Sequence, residues 1–260
     1  MLYLIVIITI IIGALLFKSI TFKTPNIKNG NIEYKIKSDS DSAVNNLSKA
    51  VKIKTVSNGN YELNYEPFDE FIEFLNNTYT NVYKTMEFKR INNYGLVYKW
   101  TGSCKNKKPL LFLGHYDVVP VETDTENNWK YGPFSGEIAE NKIWGRGSLD
   151  IKSQIIAHME VADKLIRKGY IPERDIYYAF GNDEEVGGKT GAAKISEYFE
   201  QQGLTFEAVY DECGFVAVGS IKGVNSPVAQ IGIAEKDMQI LKLLPSVLAD
   251  MLPCLLKILH

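Results

Sequence analysis

Histidine and acidic residues stand at four places along the chain where a predicted strand or a glycine-rich turn ends. They are His115, Asp117, Asp150, Asp183, Glu184, Glu185, Asp211 and Glu212. One imidazole with several carboxylates is a ligand set for divalent metal ions, and carboxylates crowded into one cleft need a cation to stay ionised at neutral pH. Two metals about 3.5–4 Å apart activate water and polarise a carbonyl, with a nearby glutamate as general base. These residue types therefore predict a hydrolytic metal site.

Each of these signals is weak when it is taken alone. An isolated His-x-Asp is more often a surface or capping pair, an acidic triplet is usually a solvated loop, and Asp150 could cap a helix. Their joint occurrence at strand ends, with glycines such as Gly114 and Gly181 beside them, favours a site. His158 lies inside a predicted helix and is interpreted as structural.

Strands and helices alternate along the part of the chain that carries these residues. Strands are predicted at 94–100, 109–113, 175–180, 206–210 and 228–233, and helices at 41–51, 66–77, 151–168 and 190–202. This alternation predicts an α/β fold with three layers, α/β/α, in which helices cover both faces of a mostly parallel sheet. Because sites in such sheets form beyond the carboxyl ends of the strands, the acidic and histidine residues should meet at one rim.

The bulk composition excludes several classes of protein. With 45% hydrophobic and 23% charged residues, the chain has the composition of a globular protein, and a net charge of −2 offers no basic surface for nucleic acid. The three cysteines are far apart and form no CxxC pair, which argues against a disulfide scaffold or a cysteine-based zinc site.

The first 18 residues are the most apolar stretch of the chain. Residues 2–17 are apolar or aromatic apart from Thr9 and Gly13, and Lys18 closes the run. These residues span about 24 Å as a helix, somewhat less than the ~30 Å hydrocarbon core of a membrane. We expect a transmembrane signal-anchor or a signal peptide over 1–18 and a polar stalk over 19–42, with a soluble core helix as the alternative.

Four segments resemble, in order and spacing, the signatures of the M20 metallopeptidases, a family that includes carboxypeptidase S and aminoacylase-1. They are Leu113-Gly-His-Tyr-Asp-Val-Val-Pro120, Trp144-Gly-Arg-Gly-Ser-Leu-Asp-Ile-Lys152, Phe180-Gly-Asn-Asp-Glu-Glu-Val-Gly-Gly188 and Asp211-Glu-Cys-Gly214. Trp129, the stretch 133–136 and Thr55-Val56-Ser57 look most like the carboxypeptidase S branch. The likeness covers 43–236 and implies the N-terminal part of a zinc-exopeptidase-like catalytic domain.

The resemblance implies a role for individual residues. His115 matches the ligand of one zinc, Asp211 the remaining carboxylate on that zinc, Asp150 the bridging carboxylate and Glu185 the ligand of the other zinc.

Two further acidic residues match catalytic positions of the family. Asp117 matches the carboxylate that orients the imidazole of the histidine ligand. Glu184 matches the general base that activates a metal-bound water.

The implied reaction is hydrolysis of an amide next to a free C-terminal carboxylate, with two Zn²⁺ ions as cofactors. A Gly-X carboxypeptidase acting on peptides and an N-acyl amino acid hydrolase of the aminoacylase type both fit. No nucleic-acid partner is expected, and the substrate-binding residues are unknown. The family also implies a lumenal or secreted protein, in agreement with sequons at Asn46 and Asn76, whereas Lys18, Lys23 and Lys28 behind the apolar segment favour the opposite topology.

The likeness stops near Lys236, and 237–260 is a leucine-rich tail that matches no known pattern. Family members continue through a lid domain, which supplies dimer and substrate contacts, and return with a last histidine ligand; His260 has no supporting segment around it. Two interpretations stay open. The chain is either a truncated member of an enzyme family, or a non-catalytic short relative with an incomplete second metal site and no family-type dimer.

Overall fold

A computed structural model of the chain describes residues 2–21, 40–59, 64–212, 214, 216–229 and 231–232. The chain divides into two compact units, Met1–Asp39 and Ser40–His260. Most of the predicted stalk and the whole leucine-rich tail, including His260, lie outside the described residues, as do Cys213 and Cys254.

The first unit contains helix α1, Leu2–Thr21, which ends with Lys18 in its last turn. In the part of the chain that the structure describes, no helix has both the length and the apolar character needed to cross a membrane. The prediction of a membrane anchor at 1–18 is therefore not supported.

The second unit contains five further helices among its described residues. They are α2 (Ser40–Lys52), α3 (Glu66–Thr78), α4 (Thr80–Thr85), α5 (Lys152–Arg167) and α6 (Ala192–Gln201). Apolar residues at helical spacing explain α3, which buries Phe68, Phe71, Ile72 and Leu75 along one side and has a proline in its first turn.

The strands form one main sheet and two short hairpins. They are β1 (Glu87–Ile91), β2 (Gly95–Trp100), β3 (Leu110–His115), β4 (Glu137–Ala139), β5 (Lys142–Trp144), β6 (Ile176–Gly181), β7 (Ala208–Tyr210), β8 (Val216–Ala217) and β9 (Val228–Ala229). The main sheet has the order β1-β2-β6-β3-β7, while β4 pairs with β5 and β8 with β9. β6, β3 and β7 run parallel, whereas β1 and β2 are antiparallel additions, so the sheet is mixed.

Helices cover both faces of this sheet. Alternate residues of β2 point in opposite directions: Leu96, Tyr98 and Trp100 join the core beneath α2, α3 and α5, whereas Val97 joins a second cluster beneath α6. The three-layer α/β/α arrangement predicted from the alternation of elements is therefore present.

A buried lysine ties two helices together beneath the predicted site. Lys152, at the start of α5, is fully buried, and its Nζ donates hydrogen bonds to the carbonyls of Ala50, 3.1 Å away, and Ile53, 2.5 Å away. These carbonyls lie at and just beyond the carboxyl end of α2, where backbone acceptors lack helical partners. Burial lowers the Lys152 pKa to about 7, against the opposing charges of Asp117 and Glu70.

The predicted elements agree with the structure except in five places. The first is the strand predicted at 228–233, which is wrong as a member of the main sheet because Val228–Ala229 pairs antiparallel with β8 among the described residues. Gln230 and Ile233 lie outside the described residues. The prediction also omitted β1, α4, β8 and the β4–β5 hairpin. In β1 most residues are exposed, so the sequence shows no regular alternation.

The packing of α3 onto the segment that follows β3 can be tested with Phe71→Ala. Phe71 is fully buried and stacks on Tyr116, with ring centroids 5.0 Å apart, so truncation should lower the free energy of unfolding by about 3–5 kcal/mol. Urea denaturation followed by circular dichroism measures the loss. Val161→Ala is the control, since Val161 is 55% exposed and should change stability by about 0.5 kcal/mol or less. Similar losses in the two variants would contradict this packing.

Candidate metal centre

The carboxyl ends of the parallel strands bring most of the predicted site residues to one rim. His115 is the last residue of β3 and pairs with Gly181, the last residue of β6. Glu184 and Glu185 follow β6 on a short 3-10 turn, Glu184–Val186.

Two other segments reach the same rim. Asp150 stands just before α5, and Asp211 and Glu212 follow β7, which runs parallel to β3 on its other side. Parallel strand ends thus collect groups that are up to 97 positions apart in sequence, His115 and Glu212 being the extremes.

The imidazole of His115 lies at the floor of an acidic cleft. Its side chain is 2% exposed, whereas those of Asp150, Glu184 and Glu212 are 65%, 51% and 31% exposed. The Nε2 atom lies 3.2 Å from Asp150 Oδ1, 3.7 Å from Glu184 Oε2 and 3.6 Å from Glu212 Oε1. Two donor groups, each with its ligand atoms within 4.8 Å of one another, share this histidine: His115, Asp150 and Glu185, and His115, Glu184 and Glu212.

The carboxylate of Asp117 fixes the orientation of this imidazole. Asp117 is fully buried; the Nδ1 atom of His115 lies 3.2 Å from its Oδ1 and 3.1 Å from its backbone carbonyl oxygen. Both partners of Nδ1 are acceptors, so Nδ1 carries a proton and Nε2 faces the cleft. The same carboxylate accepts the backbone N–H groups of Glu184, at 3.1 Å, and Glu185, at 3.2 Å. It therefore connects the histidine to the turn that presents both glutamates.

Burial and the charges in the cleft shift the pKa values of four of its groups. Burial alone would lower the pKa of His115, but the hydrogen bond and charge of Asp117, with the charges of Glu212 and Glu184, raise it to about 9. Burial is the main cause of raised pKa values at Glu184, Glu185 and Glu212, and neighbouring carboxylates add to it while His115 opposes it. A cation held between these carboxylates would relieve their mutual repulsion.

The residues present fit a divalent metal. Among the described residues, His115 Nε2 makes no hydrogen bond although it is buried, and it points at the carboxylates. An imidazole nitrogen with carboxylate oxygens is a donor set that Zn²⁺ accepts, and the hydrogen bond from Nδ1 to a carboxylate is the usual support of a metal-binding histidine.

Not every acidic residue of the predicted cluster faces the cleft. Asp183 is fully buried and accepts hydrogen bonds from the Thr190 N–H at 2.7 Å, the Thr190 hydroxyl at 2.8 Å and the Gly191 N–H at 2.8 Å. It therefore braces the loop that leads into α6. His158 packs against the rings of Phe112 and Tyr178, and burial lowers its pKa, which agrees with a structural role.

Asp211 and Glu212, which follow β7, are not arranged as the resemblance implies, because Glu212 and not Asp211 faces His115. Asp211 is exposed, its Oδ1 accepts the backbone N–H of Glu212 at 2.8 Å, and it belongs to neither donor group. Glu212 contacts the histidine instead, although the family signatures assign it no role. Its only sequence signal was its position beside Asp211 at a strand end.

An apolar cleft adjoins the acidic rim. It has a volume of about 930 Å³ and runs from His115, Asp150 and Glu184 between the sheet and α6. Its deeper wall is apolar and is formed by Leu111, Leu113, Ile195, Phe199, Phe206 and Val209. A ligand in this cleft would have polar groups beside it at the rim and apolar side chains around the rest of it.

Residues 111–233, which carry every element of this rim, match the sequence profile of the peptidase family M20/M25/M40. The chain belongs to this family. The resemblance that the four motifs indicated is therefore confirmed.

Named relatives and solved structures agree with this membership. The chain is 42% identical over 195 residues to "Probable carboxypeptidase S-like 2" of Dictyostelium discoideum, covering 73% of this chain and 37% of the relative. It is 35% identical over 192 residues to "N-fatty-acyl-amino acid synthase/hydrolase PM20D1" of Xenopus tropicalis, with the same two coverages. The M20 family metallo-carboxypeptidase Sso-CP2 of Sulfolobus solfataricus shares the fold, with a TM-score of 0.52 and 22% identity over 65% of this chain and 37% of that one. The chain thus spans less than half the length of these relatives.

The bracing role of Asp183 can be tested with Asp183→Asn. The substitution removes a charged acceptor from three donors, so the free energy of unfolding should fall by about 2–4 kcal/mol. Urea denaturation measures the change. Asp69→Asn is the matched control, because Asp69 is exposed and its ion pair with Arg90 should contribute about 1 kcal/mol or less. Equal losses in the two variants would exclude the bracing role.

Proposed function

We propose that this chain carries the metal-binding half of an M20-type hydrolase, which cleaves the amide bond next to a free C-terminal carboxylate. The observation that carries the proposal is the geometry at His115: its buried Nε2 faces the carboxylates of Asp150, Glu184 and Glu212, while Asp117 holds its other ring nitrogen. Among the described residues, His158 Nδ1 is also buried without a hydrogen bond, but aromatic rings surround it, so the carboxylates are what mark His115 as a metal ligand.

The metal ligands follow from the family signatures together with the positions of the side chains. By the family signatures, His115 and Asp211 would hold one ion, Glu185 the other, and Asp150 would be the carboxylate shared by both; of these residues, the structure groups His115, Asp150 and Glu185. The contact between Glu212 and the imidazole is the ion pair that a carboxylate forms with a protonated histidine. Asp150 lies closer still to the same Nε2 atom, so this contact does not decide which acid is a ligand; we assign the ligand role to Asp211 on the family signature and keep Glu212 as a neighbouring acid. Zn²⁺ is the metal proposed.

Glu184 is the proposed general base. When bound, a divalent metal lowers the pKa of its water ligand and polarises the scissile carbonyl. Glu184 takes a proton from the attacking water and returns it to the nitrogen of the departing amino acid, so the carboxyl group ends each cycle unchanged. Its pKa is raised, first by burial and then by the neighbouring carboxylates against the opposing charge of His115, which favours a group that accepts a proton from water. Asp117 keeps the Glu184 backbone in place.

Two substrate classes remain in the proposal. The carboxypeptidase S-like relatives favour a peptide with a free C-terminus, and a Gly-X carboxypeptidase is our first choice. An N-acyl amino acid is the alternative, favoured by the relatives named N-fatty-acyl-amino acid synthase/hydrolase and by the apolar cleft beside the rim. A lumenal or secreted location stays a prediction.

The activity of the chain is tested by incubating the Zn²⁺-loaded protein with a blocked Gly-Leu dipeptide and, in parallel, with an N-acyl leucine. Leucine release that a chelator abolishes would support the proposal, and the preferred substrate would identify the class. Failure of a folded, Zn²⁺-loaded preparation to release leucine from either substrate would contradict hydrolysis by this chain and favour a non-catalytic relative.

The role of Glu184 is tested with Glu184→Gln. The amide keeps the size of the side chain but accepts no proton, so turnover should fall by about 10²–10⁴-fold while Zn²⁺ content is retained. Glu185→Gln is the matched control, since loss of a ligand should lower Zn²⁺ content as well. Turnover near the wild-type rate in Glu184→Gln would remove Glu184 from the mechanism.

The choice between the two acids after β7 is tested with Asp211→Asn and Glu212→Gln. We expect Asp211→Asn to weaken Co²⁺ binding about tenfold or more and Glu212→Gln to have the smaller effect. Isothermal titration of the chain with Co²⁺ measures both affinities. The reverse order would transfer the ligand role to Glu212.

A further inference from the structure

A short segment ahead of α3 runs beside the chain that follows β3. Val56 and Val118 form an isolated parallel bridge. The Ser57 N–H donates to the Val118 carbonyl at 3.1 Å, and the Val118 N–H donates to the Thr55 carbonyl at 2.9 Å. This backbone pairing fixes the position of Ser57 next to Asp117, 60 residues further along the chain.

The Ser57 side chain completes the hydrogen bonds of Asp117. Ser57 is 1% exposed, and its hydroxyl donates to Asp117 Oδ2 at 2.6 Å, within the range of short bonds to a carboxylate. Asp117 Oδ2 also accepts the Glu185 N–H, while Oδ1 faces the His115 ring and the Glu184 N–H. The hydroxyl is the only neutral side-chain donor to this carboxylate among the described residues.

We propose that Ser57 is a positioning residue of the metal centre, acting through Asp117. The carboxylate can rotate about its bond to Cβ, and each of its oxygens serves a different part of the site. With the hydroxyl in place, Oδ2 is held on the side of Ser57 and Glu185, so Oδ1 stays directed at His115. Without the Ser57 hydroxyl, the Asp117 carboxylate loses its shortest hydrogen bond and rotates more freely. His115 and the turn that carries Glu184 and Glu185 are then held less firmly relative to each other.

The inference rests on the proposed metal site and adds a residue to which the family signatures give no role. Nearby groups support the same geometry: the buried Thr55 donates its hydroxyl to the Tyr116 carbonyl, which holds the two segments together on either side of Asp117. A purely structural role for Ser57 would affect stability alone, whereas a positioning role must also affect metal affinity.

The experiment compares Ser57→Val with Ser57→Thr in the full chain. Valine and threonine have the same shape, but valine carries a methyl group where threonine carries a hydroxyl. Any loss of stability caused by their larger size is therefore the same in both variants. Co²⁺ titration by calorimetry measures the affinity, and the visible absorption of the bound Co²⁺ reports its coordination geometry. We expect Ser57→Val to bind Co²⁺ about tenfold more weakly than Ser57→Thr and to alter the absorption spectrum.

Ser48→Ala is the control for loss of a buried serine hydroxyl. Ser48 is 6% exposed and donates to the Gly136 carbonyl at 2.5 Å, away from the carboxylate cluster. Its Co²⁺ affinity should stay within about twofold of the wild type even if its stability falls, since it contacts no group of the centre.

The outcomes separate this inference from the function on which it rests. Failure of the wild-type chain to bind Co²⁺ would overturn the proposed metal site and the inference with it. Binding by the wild type with equal affinities for the Val and Thr variants would overturn the role of Ser57 alone, as would an equal loss in Ser48→Ala. Circular dichroism at the titration temperature establishes that each variant is folded. If neither position-57 substitution folds, Ser57→Ala is titrated against the wild type under the same criterion.

Discussion

The buried carboxylate of Asp117 is the interaction on which the rest of the site depends. A carboxylate taken out of water is costly unless hydrogen-bond donors surround it. Here the donors come from three separate segments: Ser57 from before α3, His115 from the end of β3, and the backbone of Glu184 and Glu185 after β6. Folding must bring all three segments together to satisfy one charge, so the same requirement that stabilises the fold also assembles the candidate metal centre.

The sheet provides the frame in which this convergence occurs. β3 and β6 are parallel and end at the same level, His115 opposite Gly181, so the loops that follow them leave the sheet side by side. On the α5 face, Lys152 fastens the carboxyl end of α2 to the start of α5, only two residues after Asp150. The carboxylate of Asp150 therefore lies directly before a helix whose first turn is anchored in the core, although its own side chain is largely exposed.

The sequence predicted much of this site because strand ends and motif spacing are local features. It placed His115, Asp150 and Glu184 at one rim, and the structure brings them together. It did not separate Asp183 from its two acidic neighbours, because the direction of each side chain depends on the turn that begins at Asp183, where the backbone leaves the strand. It placed both Asp211 and Glu212 at the rim but did not show that Glu212 contacts His115, since the choice between adjacent acids depends on how the chain turns after β7. The role of Ser57 depends on a pairing between segments 60 residues apart, which no local pattern contains.

β7 lies at an edge of the main sheet among the described residues. β7 pairs with β3 on one side, and no described strand lies on its other side, while Val209 and Tyr210 are 53% and 50% exposed. Open strand edges with apolar side chains attract other extended chains, and natural proteins usually protect them with charges, prolines or covering elements. β7 is only three residues long and is followed directly by the carboxylates of Asp211 and Glu212, so this edge carries two features that limit such pairing, a short strand and charged neighbours.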